Sequence, residues 1–263
     1  MRNTTNYQQL VLCVKAIVQR HFSLTHSITL SVTTNGLDNT KNTSLVSPYW
    51  KQKLTTDALL DTIHSESRWS LHISRPTSNL QAFRAQQHKW NYIIIIWESQ
   101  ANRTVTEIIT SQLQALQDVG LLNNKSLFLI VICSRASQPP HDFALRILED
   151  LWHSFKIIDV TLVIPYFNTA KNYTSALRSV QVSSTKLFEL YTWYPILVSG
   201  RCGNVSRVDV IDKWLVENSQ GFLKSTNLFP NKISGNSIGC TVKVATRVLP
   251  PIIVELAEGT KQK

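Results

Sequence analysis

Residues 91–97 read Asn91-Tyr92-Ile93-Ile94-Ile95-Ile96-Trp97. Four consecutive isoleucines leave no polar face, so a strand here is buried on both sides. Residues 126–133 (Ser-Leu-Phe-Leu-Ile-Val-Ile-Cys) repeat the pattern, and residues 157–167 supply a third such strand. Between them, apolar residues at 105, 108, 109, 113, 116 and 119 recur at helical spacing, and Gly120 stops that helix. A further helix opens at Pro139-Pro140 and turns Phe143, Ile147, Leu148 and Leu151 inward. Buried strands alternating with amphipathic helices predict a parallel sheet covered on both faces.

The same reading extends toward the N-terminus. A helix is predicted over 8–22, a strand over 28–33, a helix over 54–67 and a short alternating strand over 69–74. The fold class is therefore α/β, a Rossmann-like and mostly parallel sheet of five or six strands with helices on both faces. It occupies residues 1–200. Toward the C-terminus the pattern loosens. Residues 178–193 hold one or two strands, with 185–193 the stronger, and residues 208–216 read as a short strand or helix. Residues 218–236 are rich in Asn, Ser, Lys and Gly and read as a linker, so 201–236 forms a junction. Residues 240–246 alternate again and open a new unit over 237–263.

Composition narrows the classes. The 263 residues include 43% hydrophobic residues and seven tryptophans, enough for a folded core. The formal net charge is +10, but the Lys and Arg are dispersed and no run of five basic residues occurs. The balance reads as a basic surface rather than a nucleic-acid footprint. No apolar run approaches the roughly 20 residues that span a bilayer. The polar start and the interruptions Gln8, Gln9 and Lys15 make a poor signal-peptide core.

Asn-X-Ser/Thr acceptors occur at Asn3, Asn42, Asn102, Asn124, Asn172 and Asn204. Roughly three would arise by chance in a chain of this composition; the excess fits surface glycans on an exported protein, and unmodified surface Asn fits the composition equally. The cysteines, Cys13, Cys133, Cys202 and Cys240, are widely spaced, with no metal-ligand motif. Cys13 and Cys133 fall on apolar patterns and fit core thiols. Cys202 and Cys240 lie in polar, Gly-flanked segments that better suit a disulfide; four cysteines allow three pairings.

The sequence carries no glycine-rich dinucleotide fingerprint, phosphate loop or nucleophile elbow. His64 beside Ser65-Glu66 fits a solvated helix end, and His153 near Asp150 fits a surface helix pair. Cys133 at a strand end fits an inert core thiol. Tyr191, Trp193 and Tyr194 fit core closure better than a base-stacking platform. No catalytic residue, metal site or cofactor is implied, and the chain reads as non-enzymatic.

The C-terminal third carries a resemblance. Leu190-Tyr191-Thr192-Trp193-Tyr194-Pro195, Arg201-Cys202-Gly203 and Trp214 come first. Leu228-Phe229-Pro230-Asn231-Lys232, Gly239-Cys240 and residues 242–246 before Pro250-Pro251 follow in order. This succession resembles the divergent insect ionotropic receptors, chemosensory relatives of ionotropic glutamate receptors. The resemblance covers about 70 residues and implies a variable amino-terminal domain joined to the first strand of a periplasmic-binding-protein-like ligand-binding domain.

It implies an extracellular portion of a ligand-gated cation channel, with receptor subunits or a co-receptor and an odorant or tastant as partners of the whole protein. It also implies a fragment, with the pore and most of the clamshell beyond residue 263 and an N-terminus without a clear signal peptide. The chain departs from relatives at Ile252-Ile253, where they often place an aromatic. No ligand-contact residue carries over. The alternative from composition alone is a soluble α/β binding module with a basic surface.

Overall fold

A computed structural model describes residues 3–32, 49–65, 69–74, 90–97, 104–133, 139–167, 185–195, 205–216 and 221–232. In chain order the elements are α1 (Asn3–His21), β1 (Ser27–Val32), α2 (Tyr49–His64), β2 (Leu71–Ser74), β3 (Trp90–Ile96) and α3 (Val105–Asp118). They continue with β4 (Phe128–Ile132), α4 (Pro140–Phe155), β5 (Val160–Phe167), β6 (Thr185–Pro195), β7 (Val205–Leu215) and β8 (Gly221–Phe222).

One eight-stranded sheet runs in the order β2-β1-β3-β4-β5-β6-β7-β8. Strands β1 to β5 pair in parallel, and β6, β7 and β8 add antiparallel to that edge. The fold is thus α/β with a mostly parallel, mixed sheet. The two outer strands are the shortest, four residues in β2 and two in β8.

Strand alternation divides the core between two faces. Tyr92, Ile94 and Ile96 of β3 point to the front, where α3 and α4 cover them. Ile93 and Ile95 point to the back, against α1 and against Leu59 and Ile63 of α2. Four buried isoleucines in a row serve both cores at once, as the sequence predicts. On the order of 2 kcal/mol of hydrophobic stabilisation attaches to each such side chain.

Helix ends follow local chemistry. Thr104 caps α3: its hydroxyl accepts from the Glu107 amide, and the Glu107 carboxylate accepts from the Thr104 amide. At the other end Gly120 adopts φ +71°, and the Gly120 and Leu121 amides return to Gln117 and Leu116 carbonyls. That geometry needs a residue without a Cβ penalty. The loop behind it is tied by Tyr92, whose hydroxyl donates to the Leu121 carbonyl and accepts from the Asn123 amide.

Three expectations change. The sheet has eight strands rather than five or six, and it continues past residue 200. Of the strand or helix expected over 208–216, the strand forms, through Leu215, and β7 bonds to β6 along nearly its whole length. The expected linker over 218–236 is, in its described part 221–232, a packed strap. Leu228 is buried in the back core, and Phe229 meets the rings of Phe22 and His21. Of its polar side chains, Thr226 and Lys232 bond to the domain, while Lys224, Ser225, Asn227 and Asn231 are exposed. The strand expected over 240–246 and the whole unit over 237–263 lie outside the described residues.

Candidate functional site

Two positions organise the chemistry of this fold. The first is the point between β1 and β3 where the order of the parallel strands reverses. Ligands of open α/β sheets bind beyond the carboxyl ends of the strands at that point. The segments that follow these strands, 33–48 and 98–103, lie outside the described residues. Two buried hydroxyls of β1, Thr29 Oγ1 and Ser31 Oγ, have no hydrogen-bond partner among the described residues. They align in register with His72 and Ser74 of β2. An apolar sheet face here is therefore interrupted by a polar stripe.

The second position is the antiparallel half, where the buried charges gather. Glu189 lies on the front face of β6, directly opposite Lys213 of β7. Its carboxylate accepts the Tyr191 hydroxyl at 2.6 Å and pairs with Lys213 Nζ at 2.8 Å. Burial raises the Tyr191 phenol well above its ordinary range, and the hydrogen bond and charge of Glu189 add to the effect. The trio is a satisfied ion pair with a locked phenol, because both carboxylate oxygens are engaged.

On the back face Asp212 is 1% exposed and holds the strap. Its Oδ1 accepts the Lys213 and Lys224 amides at 2.8 and 2.9 Å, and its Oδ2 accepts the Thr226 amide at 3.0 Å. Burial works to raise this carboxyl, and the amide bonds from Lys224, Thr226 and Lys213 outweigh it, so its pKa lies below the ordinary value. Ser225, between two of these donors, takes φ +53°, and its carbonyl accepts from Arg20 of α1. Thr161 Oγ1 of β5 donates to the Leu228 carbonyl at 2.6 Å. The strap then rounds the lower end of the sheet, where the parallel strands begin, and Lys232 Nζ donates to the Ile158 carbonyl.

The sequence-based candidates distribute unevenly. Asn124 is exposed in the turn between α3 and β4. Asn3 is the first residue of α1, with its side chain undescribed; Asn42, Asn102, Asn172 and Asn204 lie outside the described residues, as do Cys202 and Cys240. Cys13 and Cys133 are free thiols. Burial pushes both far above the ordinary thiol range, and Asp212 adds to the effect at Cys13. Cys133 also gives its amide to the Ile96 carbonyl, which fits a structural thiol.

His64 ends α2, and His153 is exposed on α4 with its carbonyl accepting from Lys156. Tyr191 and Trp193 are core residues, and Tyr194 carries the Arg207 guanidinium 5.0 Å from its ring centre. Asp212, Glu189 and Lys232 escape sequence reading. A lone acid inside an apolar strand run, as in Leu-Phe-Glu-Leu-Tyr, was the available signal.

Among the described residues no group of three or more His, Cys, Asp or Glu side chains is placed to hold a metal. No described helix is long and apolar enough to cross a membrane. No protein-family model matches the chain, and no curated protein matches it at a significant level.

Proposed function

We propose that this chain is the extracellular amino-terminal portion of a chemosensory ligand-gated cation channel of the ionotropic receptor type. In this reading the α/β domain carries the start of a ligand-binding clamshell over 237–263. The observation that carries the proposal is the ordered succession of blocks from Leu190 to Pro251 in the sequence.

Two features of the fold support it. The blocks that fall on described residues belong to one continuous structural unit. Residues 190–195 lie in β6, Trp214 lies in β7, and residues 228–232 end the strap. Their aromatic and aliphatic members Trp193, Trp214 and Leu228 are buried, so the blocks have a packing role in this domain. The strap also delivers residue 232 to the lower end of the sheet at a fixed point, which suits a domain that positions another. In this reading the partners are receptor subunits or a co-receptor, and the ligand of the whole receptor is an odorant or tastant.

The test is the transcript beyond codon 263. The proposal expects a stretch of about 20 apolar residues within the next hundred or so. A natural reading frame that ends at Lys263, in a locus with no pore-coding exons downstream, sinks it.

A further inference from the structure

A run of tilted rings and cations at the lower end of the sheet terminates on a buried amine. Lys156 Nζ lies 5.2 Å from the Trp152 ring, and the Trp152 and Trp193 rings lie 5.2 Å apart. Lys232 Nζ lies 5.4 Å from the Trp193 ring. Lys156 is exposed at the C-terminal cap of α4, whereas Lys232 is 5% exposed. Its Nζ donates to the Ile158 carbonyl at 2.5 Å. An ammonium has three donors to satisfy, and one carbonyl and one ring face replace its water shell incompletely.

The charged groups around it do not make up the difference. Asp159, in the turn before β5, attracts the ammonium, but its own carboxyl is raised by burial, with Lys232 acting to lower it. On the α4 side Lys156 sits on Trp152, beyond the ring pair. On the β7 side Arg207 is engaged by Asp209 at 2.8 Å. From β6 the amine meets Trp193, which carries no charge.

We propose that Lys232 is a proton-operated clasp: the neutral amine holds the strap 221–232 against the lower end of the sheet, and protonation weakens that hold. Burial, offset in part by Asp159, brings the docked amine from 10.5 down to about 7. Undocked in water, the amine keeps the higher, ordinary value. Between these two values the undocked state carries the extra proton, so lowering the pH favours undocking. Below about 7 both states are protonated, and the effect is complete. The strap is therefore held more tightly at pH 9 than at pH 7. This rests on the fold alone and stands apart from the receptor reading.

The experiment is hydrogen–deuterium exchange on the full 263-residue chain. The amides of Lys224 and Thr226, which donate to Asp212 of β7, report on the strap, after correction for intrinsic exchange. Their protection should fall by up to about tenfold per pH unit between pH 9 and pH 7. Lys232→Met, which has no proton to take up, should flatten that dependence. Lys232→Arg, charged throughout, should leave the strap loosened at both pH values. Flat protection in the wild type, an unchanged slope in K232M, or full protection in K232R at pH 9 overturns the proposal. Where K232M does not fold, direct NMR titration of Lys232 Nζ in the wild type decides. A midpoint near 7 that coincides with the protection change supports the clasp, and an ordinary lysine midpoint overturns it.

Discussion

The carboxylate of Asp212 accepts both the amide and the hydroxyl of Thr226, at 3.0 and 3.3 Å, across fourteen residues of chain. A single acid on β7 thereby fixes a segment that its composition marks as loose. Asp212→Ala removes the acceptor of three backbone amides and should cost about 2–3 kcal/mol, the scale of hydrogen bonds to a buried charge. Because the folded carboxyl titrates below the unfolded one, this stability is present above the ordinary Asp pKa of about 4. It is lost as pH falls through the folded value. Urea unfolding of both proteins should show a gap at pH 7 that narrows below about pH 4. A gap independent of pH would remove Asp212 from the role.

His21 gives a second acid-sensitive element. Burial, with Arg20 adding repulsion, lowers its pKa from 6.5 to about 4. The unfolded chain therefore binds the extra proton between these values. Stability should be complete above about 6.5, decline as pH falls toward 4 and then level off. At this half-buried site screening leaves an effect of about 1–2 kcal/mol. His21→Leu keeps an apolar contact for Phe229 and should flatten the decline in urea midpoint over that range. Parallel curves for the two proteins would refute the assignment.

The Glu189–Lys213 pair should behave asymmetrically. Lys213→Met leaves a buried carboxylate with the Tyr191 hydroxyl as its remaining partner among the described residues. That should cost about 1–3 kcal/mol. Glu189→Gln keeps an acceptor for Tyr191 and releases a lysine that is already 38% exposed to water. It should cost less, about 1 kcal/mol. Denaturant midpoints of the two variants check the order, and the reverse order contradicts it.

Cys13 and Cys133 should resist thiol reagents in the folded protein, because Cys13 is buried and the half-buried Cys133 thiol is held protonated. In a Cys202→Ser/Cys240→Ser background, a chromogenic disulfide reagent should label neither until denaturant is added. Labelling within seconds in native buffer would place at least one of them in an opened site.

Export can be read at Asn124. Expressed behind a secretion leader, the chain should lose one glycan-sized step on a gel in Asn124→Gln, because that acceptor stands exposed in its turn. An identical pattern in the variant would show that the acceptor is unused.

Legibility in the sequence followed physical locality. Ile93 to Ile96 announces a strand buried on both faces, and Gly120 announces a helix stop, because each signal is contained within a few residues. Strand β7 is less legible. Its register slips where Tyr191 pairs with Val210 and Leu190 with Asp212, which leaves Ile211 as an extra residue. That bulge breaks the two-residue alternation and makes helix and strand look alike. The orientation of β6 depends on pairing with β5, which no local pattern encodes.

The strap was invisible for the same reason. Its partners, Asp212, Thr161 and Arg20, lie 12 to 205 residues away from the groups that they bind. Asn, Ser, Lys and Gly advertise hydrogen-bonding capacity without saying whether water or protein will meet it. Of the candidate site, the buried acids Glu189 and Asp212 were present as isolated charges among apolar neighbours, and only the register showed what faced them.

The sheet's outermost strands bear on how copies of this domain meet. Backbone groups on a free strand edge are a template for the next chain, and long flat edges invite unlimited stacking. Here β2 offers four residues, whereas β8 pairs only with Trp214 and Leu215, so among the described residues most of the outer side of the eleven-residue β7 has no strand beside it. A strand added along β2 would gain a handful of backbone bonds, and one added along β7 could gain more. The two edges of the sheet are therefore unequal as templates for a further strand, and the one along β7 is the longer.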